Sequence, residues 1–319
     1  MVKAVNSKTL GEFESLTKRF GTTQALRGLS FKIYEGINGL IGPNGAGKTT
    51  SIRLSLGLIK PDTGKAEMFG LNCWKESLEI RRRIGILFEK SAFYDGLSGF
   101  DHLNLIAKLK GISKSSIEIK RVLRLVELEG GAQNRKIGGY SAGMRQRLGF
   151  AQALLGEPDL IILDEPTSNL DPLGRTKLLN VIKDLRKNGV SFLISSHILP
   201  ELERVCDNFV LMNNGQKIRE GTIEQMLGEK TSKTFVINVQ PADLLLKLLK
   251  REKYVEALSI NGQSLHVTVK DVARFKRHLP LLISQAHASL DEVKVVREDL
   301  ESVFKSAIEE DSDGKLSGN

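Results

Sequence analysis

The chain has 319 residues but only two cysteines, Cys73 and Cys206, which lie far apart in sequence. Two isolated thiols exclude a disulfide scaffold and a Cys-rich zinc module, and they favour a reducing compartment. Long apolar runs are also lacking, because stretches such as 160–163 fall far short of the roughly 20 residues that a membrane-spanning helix needs. The first residues lack the apolar core of a signal peptide. The sequence therefore predicts a soluble protein that stays inside the cell.

The composition is that of a folded protein. Hydrophobic residues make up 40% of the chain and charged residues 27%, which excludes a disordered or collagen-like chain. The length is about twice a common domain size of roughly 150 residues, so two domains or one domain with an appendage are expected. The net charge of +9 can indicate nucleic acid, an anionic membrane surface or a solvated face. Of these, the solvated face is the simplest interpretation.

The first two thirds of the chain alternate strand and helix patterns. Short strands and turns are expected over 14–42, followed by a glycine-rich loop. Hydrophobic periodicity then predicts helices over 48–58, 101–130 and 173–188, and apolar runs predict strands over 37–41, 159–164 and 190–194. The strand over 159–164 has a wholly apolar centre, 160–163, bounded by Asp159 and Asp164, which is typical of a parallel sheet covered on both faces. This alternation predicts an α/β fold.

The composition changes near residue 230. Beyond it the pattern predicts a βαββαβ order, with strand 233–239, helix 241–251, a hairpin across Asn261-Gly262, helix 271–287, strand 292–296 and helix 298–309. This order indicates a small α+β domain of split βαβ type. The polar tail over 311–319 is expected to fray.

One loop carries the strongest chemical signal. The motif G-x-x-x-x-G-K-[ST] is matched in full by Gly42-Pro43-Asn44-Gly45-Ala46-Gly47-Lys48-Thr49-Thr50. Its glycines let successive backbone N–H groups point at one anion, and the following helix adds its positive end. Lys48 can reach the β- and γ-phosphates of a nucleotide, and the Thr49 hydroxyl can ligate Mg²⁺. An apolar strand before the loop and a helix after it provide the context that a phosphate-binding loop requires.

Two adjacent carboxylates end the apolar strand over 160–164. Asp164 stands where a carboxylate can hold Mg²⁺ beside the phosphate loop. Glu165 follows it and can orient or deprotonate a water molecule. Two acids at a strand end can also form an ordinary solvated turn, but the neighbouring phosphate loop favours the functional interpretation.

With these motifs in this order, residues 12–228 resemble the ATP-binding subunit of ABC transporters. The family's signature motif is similar to Tyr140-Ser141-Ala142-Gly143-Met144-Arg145-Gln146-Arg147. Asn169-Leu170-Asp171 resembles the loop after the second carboxylate, and Ser195-Ser196-His197 resembles the segment of the switch histidine. The resemblance implies that Phe20 stacks on adenine, that Ser141 and Gly143 touch the γ-phosphate bound to a second copy, and that His197 contacts the γ-phosphate.

The chain departs from the family pattern at two places. The usual signature reads Leu-Ser-Gly-Gly-Gln, whereas Ala142 and Met144 replace the third and fifth residues here. In addition, Glu89 stands in the loop that normally offers a glutamine. Glu89 could ligate the metal through a side-chain oxygen, or it is an ordinary exposed loop acid. The C-terminal segment 298–304 resembles the appendage of drug-exporter ATPases.

The sequence thus predicts a P-loop ABC-type ATPase domain over 12–229 with a helical subdomain over about 75–150, a small α+β domain over 230–310 and a tail over 311–319. The resemblance implies ATP and Mg²⁺ as cofactors, a head-to-tail homodimer or a pairing with a similar ATPase subunit, and a separate integral-membrane permease. It favours export, a place at the cytoplasmic face of the cell membrane through the permease, and no nucleic-acid partner.

Two other functions compete with that of a transporter ATPase. ABC-type ATPases that act on ribosomes or nucleic acid resemble two cassettes in one chain or a cassette split by a coiled coil, whereas this chain has one phosphate loop, one signature and no heptads. An ATP-binding scaffold without turnover is disfavoured by the presence of Glu165 and His197. The transported substrate is not readable from the sequence.

Overall fold

The computed structural model describes residues 8–113, 115–227, 233–262 and 264–296, together with Phe304. These residues divide into two compact units, one that ends at Met226 and one that begins at Leu227. Residue 230, near which the sequence predicts the domain boundary, lies within the segment 228–232, which is outside the described residues. The predicted tail over 311–319 and, apart from Phe304, the predicted helix over 298–309 also lie outside them.

The chain up to residue 227 alternates strands and helices. Its strands are β1 (Thr9–Phe20), β2 (Thr23–Tyr34), β3 (Ile37–Ile41), β4 (Thr63–Met68), β5 (Leu71–Asn72), β6 (Ile84–Leu87), β7 (Leu160–Asp164), β8 (Ser191–Ser196), β9 (Asn208–Asn213) and β10 (Gln216–Gly221). Its helices are α1 (Lys48–Ser55), α2 (Ser77–Arg82), α3 (Gly99–Leu109), α4 (Ser115–Leu125), α5 (Gly131–Asn134), α6 (Ala142–Leu154), α7 (Pro172–Lys187), α8 (Leu199–Glu203) and α9 (Ile223–Leu227).

The main sheet has the strand order β10-β9-β3-β8-β7-β6. Strands β9, β3, β8, β7 and β6 run parallel, and β10 pairs antiparallel with β9. Every residue of β3, β7 and β8 is buried, which confirms the predicted parallel sheet with both faces covered. Because the carboxyl ends of parallel strands meet at one edge, the segments that follow β3, β7 and β8 lie together.

A second sheet, with the order β2-β1-β4-β5, is antiparallel. The prediction of short strands over 14–42 was wrong, because β1 and β2 are each 12 residues long. Their pairing contains register shifts, one of them between Phe13 and Leu16 around Ser15, whose φ is +46°. Such irregularities break the alternation of apolar and polar residues that identifies a long strand.

One hydrophobic core joins both sheets to helix α1. Phe13 of β1 and Phe31 of β2 stack with ring centroids 4.5 Å apart. They belong to the same buried cluster as Ile52 of α1 and Leu40 of β3. This packing fixes α1, and with it the loop between β3 and α1, against the end of the main sheet.

The helical subdomain predicted from about residue 75 needs one correction. Strand β6 lies within that range and pairs with β7 in the main sheet. It escaped prediction because it has only four residues and directly follows the charged run Arg81-Arg82-Arg83. The helical insertion therefore begins with α3 and continues through α6. The predicted helical stretch over 101–130 is two helices, α3 and α4.

The second unit contains β11 (Thr234–Gln240), α10 (Ala242–Leu249), β12 (Val255–Asn261), β13 (Ser264–Val269), α11 (Val272–Gln285) and β14 (Ser289–Val296). Its antiparallel sheet has the order β12-β13-β11-β14, so the βαββαβ prediction is confirmed through β14. A separate core holds Phe235, Ile237 and Val267 of the sheet against Leu245 of α10 and Phe275 of α11. In the described part of the chain, no helix combines the length and apolar character needed to cross a membrane.

Candidate nucleotide site

The loop between β3 and α1 has the backbone shape that its glycines allow. Gly45 and Gly47 have φ angles of +85° and +101°, a region that side-chain-bearing residues rarely adopt. A Cβ atom at Gly47 would also lie 2.7 Å from Leu26 and 2.9 Å from the carbonyl oxygen of Ala25. The curled loop therefore depends on glycine at residue 47 for two independent reasons.

The start of α1 offers free donors and a cation. Gly47 is its N-cap and supplies no side-chain hydrogen bond, so the first backbone N–H groups of the helix have no capping partner. The Lys48 ammonium donates to the carbonyl oxygens of Gly42 at 2.7 Å and Pro43 at 3.3 Å. Free N–H groups, the positive end of a helix and an ammonium group together favour a phosphate.

Asp164 is held between two hydroxyl groups. Its side chain is buried at the end of β7, where the Thr49 hydroxyl donates to Oδ2 at 2.9 Å and the Ser195 hydroxyl donates to Oδ1 at 2.5 Å. The carboxylate of β7 and the hydroxyl of the phosphate loop thus lie side by side, and their role as metal ligands stays a prediction.

Glu165 lies at the centre of the charged groups. Its Oε2 accepts a hydrogen bond from His197 Nδ1 at 2.8 Å, and its Oε1 lies 3.1 Å from the Lys48 ammonium. Oε1 is buried and has no hydrogen-bond partner of good geometry. The backbone φ of Glu165 is +49°, which is uncommon for a residue with a side chain. Glu165 therefore has one carboxylate oxygen held by His197 and one that is free to accept a hydrogen bond.

Sequence reasoning missed the structural roles of Ser195 and Gln146. The buried Gln146 of α6 donates to the carbonyl oxygen of Pro166 at 2.8 Å and so holds the turn after Glu165. For Ser195 a signal was present, because a hydroxyl that follows the apolar run Phe192-Leu193-Ile194 in a buried strand needs a hydrogen-bond partner. For Gln146 no comparable signal exists, since a glutamine on a helix is usually exposed.

The signature residues lie at the start of α6. The Ser141 side chain accepts from the backbone N–H of Met144 at 3.2 Å and caps the helix, and Ser141 itself is exposed. Gly143 lies in the first turn. Similarly, Asp171 caps α7 by accepting from the Gly174 N–H at 2.7 Å. Among the described residues, no hydrogen bond or ion pair joins Ser141 or Gly143 to the phosphate loop of the same chain.

Two further predicted residues lie at the protein surface. Phe20, at the end of β1, is 46% exposed, and the Lys18 ammonium lies 5.6 Å from its ring centroid. An exposed ring is available for stacking. Glu89 is exposed, and within the described ranges no hydrogen bond or ion pair connects it to Thr49 or Asp164. Its role as a metal ligand stays a prediction.

The donor set fits Mg²⁺ bound together with a nucleotide. Among the described residues no cluster of three or more His, Cys, Asp and Glu side chains could hold a metal alone. Mg²⁺ is usually held by one or two protein oxygens together with phosphates and water. The Thr49 hydroxyl and the Asp164 carboxylate provide such oxygens.

Comparison with known proteins places this site in a family. The ABC transporter family model matches residues 26–168. The bacitracin transport ATP-binding protein BcrA of Enterococcus faecalis is 33% identical, and the match covers 93% of this chain and 96% of that protein. This chain is a member of the ABC transporter ATP-binding proteins. The Nod factor export ATP-binding protein I of Burkholderia lata is also 33% identical, over 88% of this chain and 94% of its own length.

A solved ATP-binding subunit of an ABC transporter has the same fold. It is 33% identical, covers 68% of this chain and 92% of its own, and superposes with a TM-score of 0.62. The resemblance inferred from the motifs is thereby confirmed, and the chain is an ABC-type ATPase. The phosphate loop and the carboxylates after β7 are the parts of this ABC ATPase that the structure brings together.

Proposed function

We propose that two copies of this ABC ATPase bind ATP head to tail and power export through a separate membrane permease. The observation that carries the proposal is the continuous set of contacts from Thr49 through Asp164 and Ser195 to Glu165 and His197. It joins groups suited to bind phosphate, to bind a metal and to accept a proton. A phosphate-binding scaffold without turnover has no need for the last of these.

Lys48 and the amides at the start of α1 bind the β- and γ-phosphates in this proposal. Phosphate oxygens compete with Glu165 for the Lys48 ammonium, since one ammonium has three N–H donors and two of its partners here are carbonyl oxygens. Thr49 and Asp164 would hold Mg²⁺, which would offset negative charge on the phosphates when bound. Phe20 stacks on the adenine ring.

Glu165 is the general base in this proposal. His197 fixes its Oε2, which leaves Oε1 to accept the proton of an attacking water molecule. The water oxygen bonds to the γ-phosphorus while the bond between that phosphorus and the β–γ bridging oxygen breaks, so ADP and phosphate form. His197, with its ring half exposed, contacts the γ-phosphate as well as Glu165.

Ser141 and Gly143 act on the nucleotide of the second copy. Ser141 is exposed at the N-terminus of the 13-residue helix α6, where backbone N–H groups and the helix dipole favour an anion. Two such copies, arranged head to tail, enclose each ATP between the phosphate loop of one and α6 of the other. Hydrolysis then loosens the dimer, and this motion drives the permease at the cytoplasmic face of the membrane.

Export is supported by the relatives, one of which is a bacitracin transport protein and another a Nod factor export protein. The test of coupling is co-expression with the membrane protein encoded beside this chain, provided that it has about six apolar spans. We expect the two to co-purify, and the membrane protein to raise the ATPase rate. The transporter proposal is contradicted if the neighbouring reading frames encode no such membrane protein. It is also contradicted if the membrane protein leaves the ATPase rate unchanged.

The chemistry is tested with Glu165→Gln. This substitution keeps the shape of the side chain but removes the basic oxygen, so hydrolysis should fall by about 10²–10⁴. ATP binding should survive, and light scattering should show an ATP-dependent dimer, because one negative charge beside the γ-phosphate is gone. Phosphate release near the wild-type rate would rule out Glu165 as the base.

A further inference from the structure

Ser195 is a buried hydroxyl at a specific place in the main sheet. Every residue of β8 is buried, and Ser195 has no measurable solvent exposure. The parallel pairing of β7 with β8 places Ser195 beside Asp164, the last residue of β7. A hydroxyl at such a buried position must find both a donor and an acceptor within the protein.

The Ser195 hydroxyl connects the two carboxylate-bearing residues. It donates to Asp164 Oδ1 at 2.5 Å, and it accepts the backbone N–H of Glu165 at 3.0 Å. The same N–H also lies 3.2 Å from the carbonyl oxygen of Ser195. One residue therefore holds the side chain of Asp164 and the backbone of Glu165 at the same time.

Both residues need such support. Asp164 can present an oxygen to a metal only if its carboxylate does not rotate, and the hydroxyls of Thr49 and Ser195 hold its two oxygens. Glu165 has a left-handed backbone, which persists only where neighbouring groups fix it. The backbone N–H of Glu165 donates to the hydroxyl and the carbonyl oxygen of Ser195. These two contacts hold the backbone at the point where the left-handed conformation begins.

We propose that Ser195 is a positioning residue that sets the metal-binding carboxylate of Asp164 and the basic carboxylate of Glu165 in one fixed relationship. The proposal rests on the roles assigned to these two residues under the proposed function. Groups that hydrogen-bond to a metal-ligating carboxylate typically change metal affinity or activity by 10–100-fold when they are removed.

The test compares Ser195→Ala with Ser195→Thr and Ser195→Cys in the full chain. Alanine removes the hydroxyl, cysteine keeps its approximate size with a weak donor, and threonine keeps the hydroxyl. Ser191→Ala is the matched control, because Ser191 is buried in the same strand but accepts from the Gly36 N–H at 3.2 Å. Binding of a fluorescent ATP analogue is titrated with Mg²⁺ and repeated in EDTA, and phosphate release is measured separately.

For Ser195→Ala and Ser195→Cys we expect the Mg²⁺ concentration at half-saturation to rise roughly 10-fold or more, and kcat to fall by about 10–100-fold. Affinity for the analogue in EDTA should stay within about twofold of wild type. Ser191→Ala should match wild type, and Ser195→Thr should recover most of the Mg²⁺ response.

Values within about twofold of wild type for both Ser195→Ala and Ser195→Cys would overturn the proposal. The proposal would also be overturned if affinity for the ATP analogue fell as much in EDTA as in Mg²⁺, because that pattern indicates general damage to the phosphate loop. The Mg²⁺ titration of binding does not depend on Glu165 being the base. A Glu165→Gln protein with normal hydrolysis would therefore contradict the proposed function. The link between Ser195 and Asp164 would still be tested by the Mg²⁺ titration.

Discussion

The Lys48 ammonium lies 3.1 Å from Oε1 of Glu165, and both side chains are more than nine-tenths buried. Lys48 belongs to the phosphate loop and Glu165 follows a strand more than 100 residues later in the chain. Each charge partly compensates the other in a site where water is largely excluded. Removing either partner would leave the other as a buried charge without its counter-ion.

The first prediction concerns this pair. Lys48→Ala leaves Glu165 as a buried charge without its lysine, so the free energy of unfolding should fall by up to about 3–5 kcal/mol. Adding Glu165→Gln to Lys48→Ala should recover part of that loss, because the unpaired charge is gone. Urea unfolding of the wild type, both single variants and the double variant without nucleotide measures the coupling. Strictly additive effects would show that the two charges do not stabilise each other.

The second prediction concerns the hydroxyl of Thr49. Thr49→Ala removes the donor to Asp164 and a metal oxygen, so Mg²⁺-dependent ATP binding should weaken by roughly 10–100-fold. Thr49→Ser should retain most of it. Thr50→Ala is the matched control, because the adjacent Thr50 has no side-chain hydrogen bond to Asp164. Equal losses in the variants of Thr49 and Thr50 would mean that the loop, rather than the hydroxyl, is affected.

The third prediction concerns the surface after β6. Four aromatic residues follow β6 within a basic segment, Phe88, Phe93, Tyr94 and Phe100, and we propose that the permease docks there. In the structure Tyr94 is 64% exposed, whereas Phe88 packs against the hydrophobic core and Phe93 packs edge-on against the ring of His102. Tyr94→Ala should therefore uncouple transport from ATP hydrolysis without loss of stability, as rings that anchor interfaces do.

The measurement is transport by the reconstituted ATPase and permease beside the ATPase rate and melting temperature of the isolated chain. Phe93→Ala is the comparison variant and should lower the melting temperature modestly, because it removes a half-buried ring that packs against His102. Normal transport by Tyr94→Ala would exclude Tyr94 as an anchor.

The fourth prediction concerns the second unit. The buried residues of the core around Phe235, Ile237 and Phe275 all come from residues 235–286. A chain truncated after residue 226 should therefore remain folded and bind ATP with nearly wild-type affinity. Circular dichroism and binding of the fluorescent ATP analogue check this. An insoluble product would show that the first unit needs residues beyond 226.

The fifth prediction concerns pH and the thiols. Burial raises the pKa of the Cys73 thiol to about 12, and burial likewise raises the pKa of Cys206 well above its ordinary value. At pH 9 the native thiols stay protonated while those of the unfolded chain ionise in part. Unfolding thus releases protons, and this contribution to stability falls as the pH rises above about 9.

Reaction with a disulfide reagent at pH 8–9 should be slow in the native protein and rapid in guanidinium chloride. The variants Cys73→Ala and Cys206→Ala assign any reactive thiol to its residue. A fast reaction of Cys73 in the native chain would contradict its burial, whereas Cys206 is only partly buried and should be the faster of the two.

Much of this molecule is predictable from local sequence. The phosphate loop over 42–50 could be identified because glycine, lysine and threonine occur at fixed spacing between an apolar strand and a helix. The buried strand β7 and the hairpin at Asn261-Gly262 were predictable for the same reason, since hydrophobic period and turn residues act over a few positions. Strand β6 and the length of β1 were not, because a charged neighbour or a register shift hides the pattern.

The sequence by itself determined which chemical groups are present and in what order. Only the tertiary structure decided their partners: that Lys48 pairs with Glu165, that Ser195 holds Asp164, and that Phe93 is half-buried against His102 while Tyr94 is exposed. Those contacts join residues that are separated by 9 to 117 positions in the sequence, or they depend on the direction in which a loop side chain points. They follow from the register of β7 against β8 and from the packing of α1 and α3, which are cooperative properties of the whole fold that no local pattern encodes.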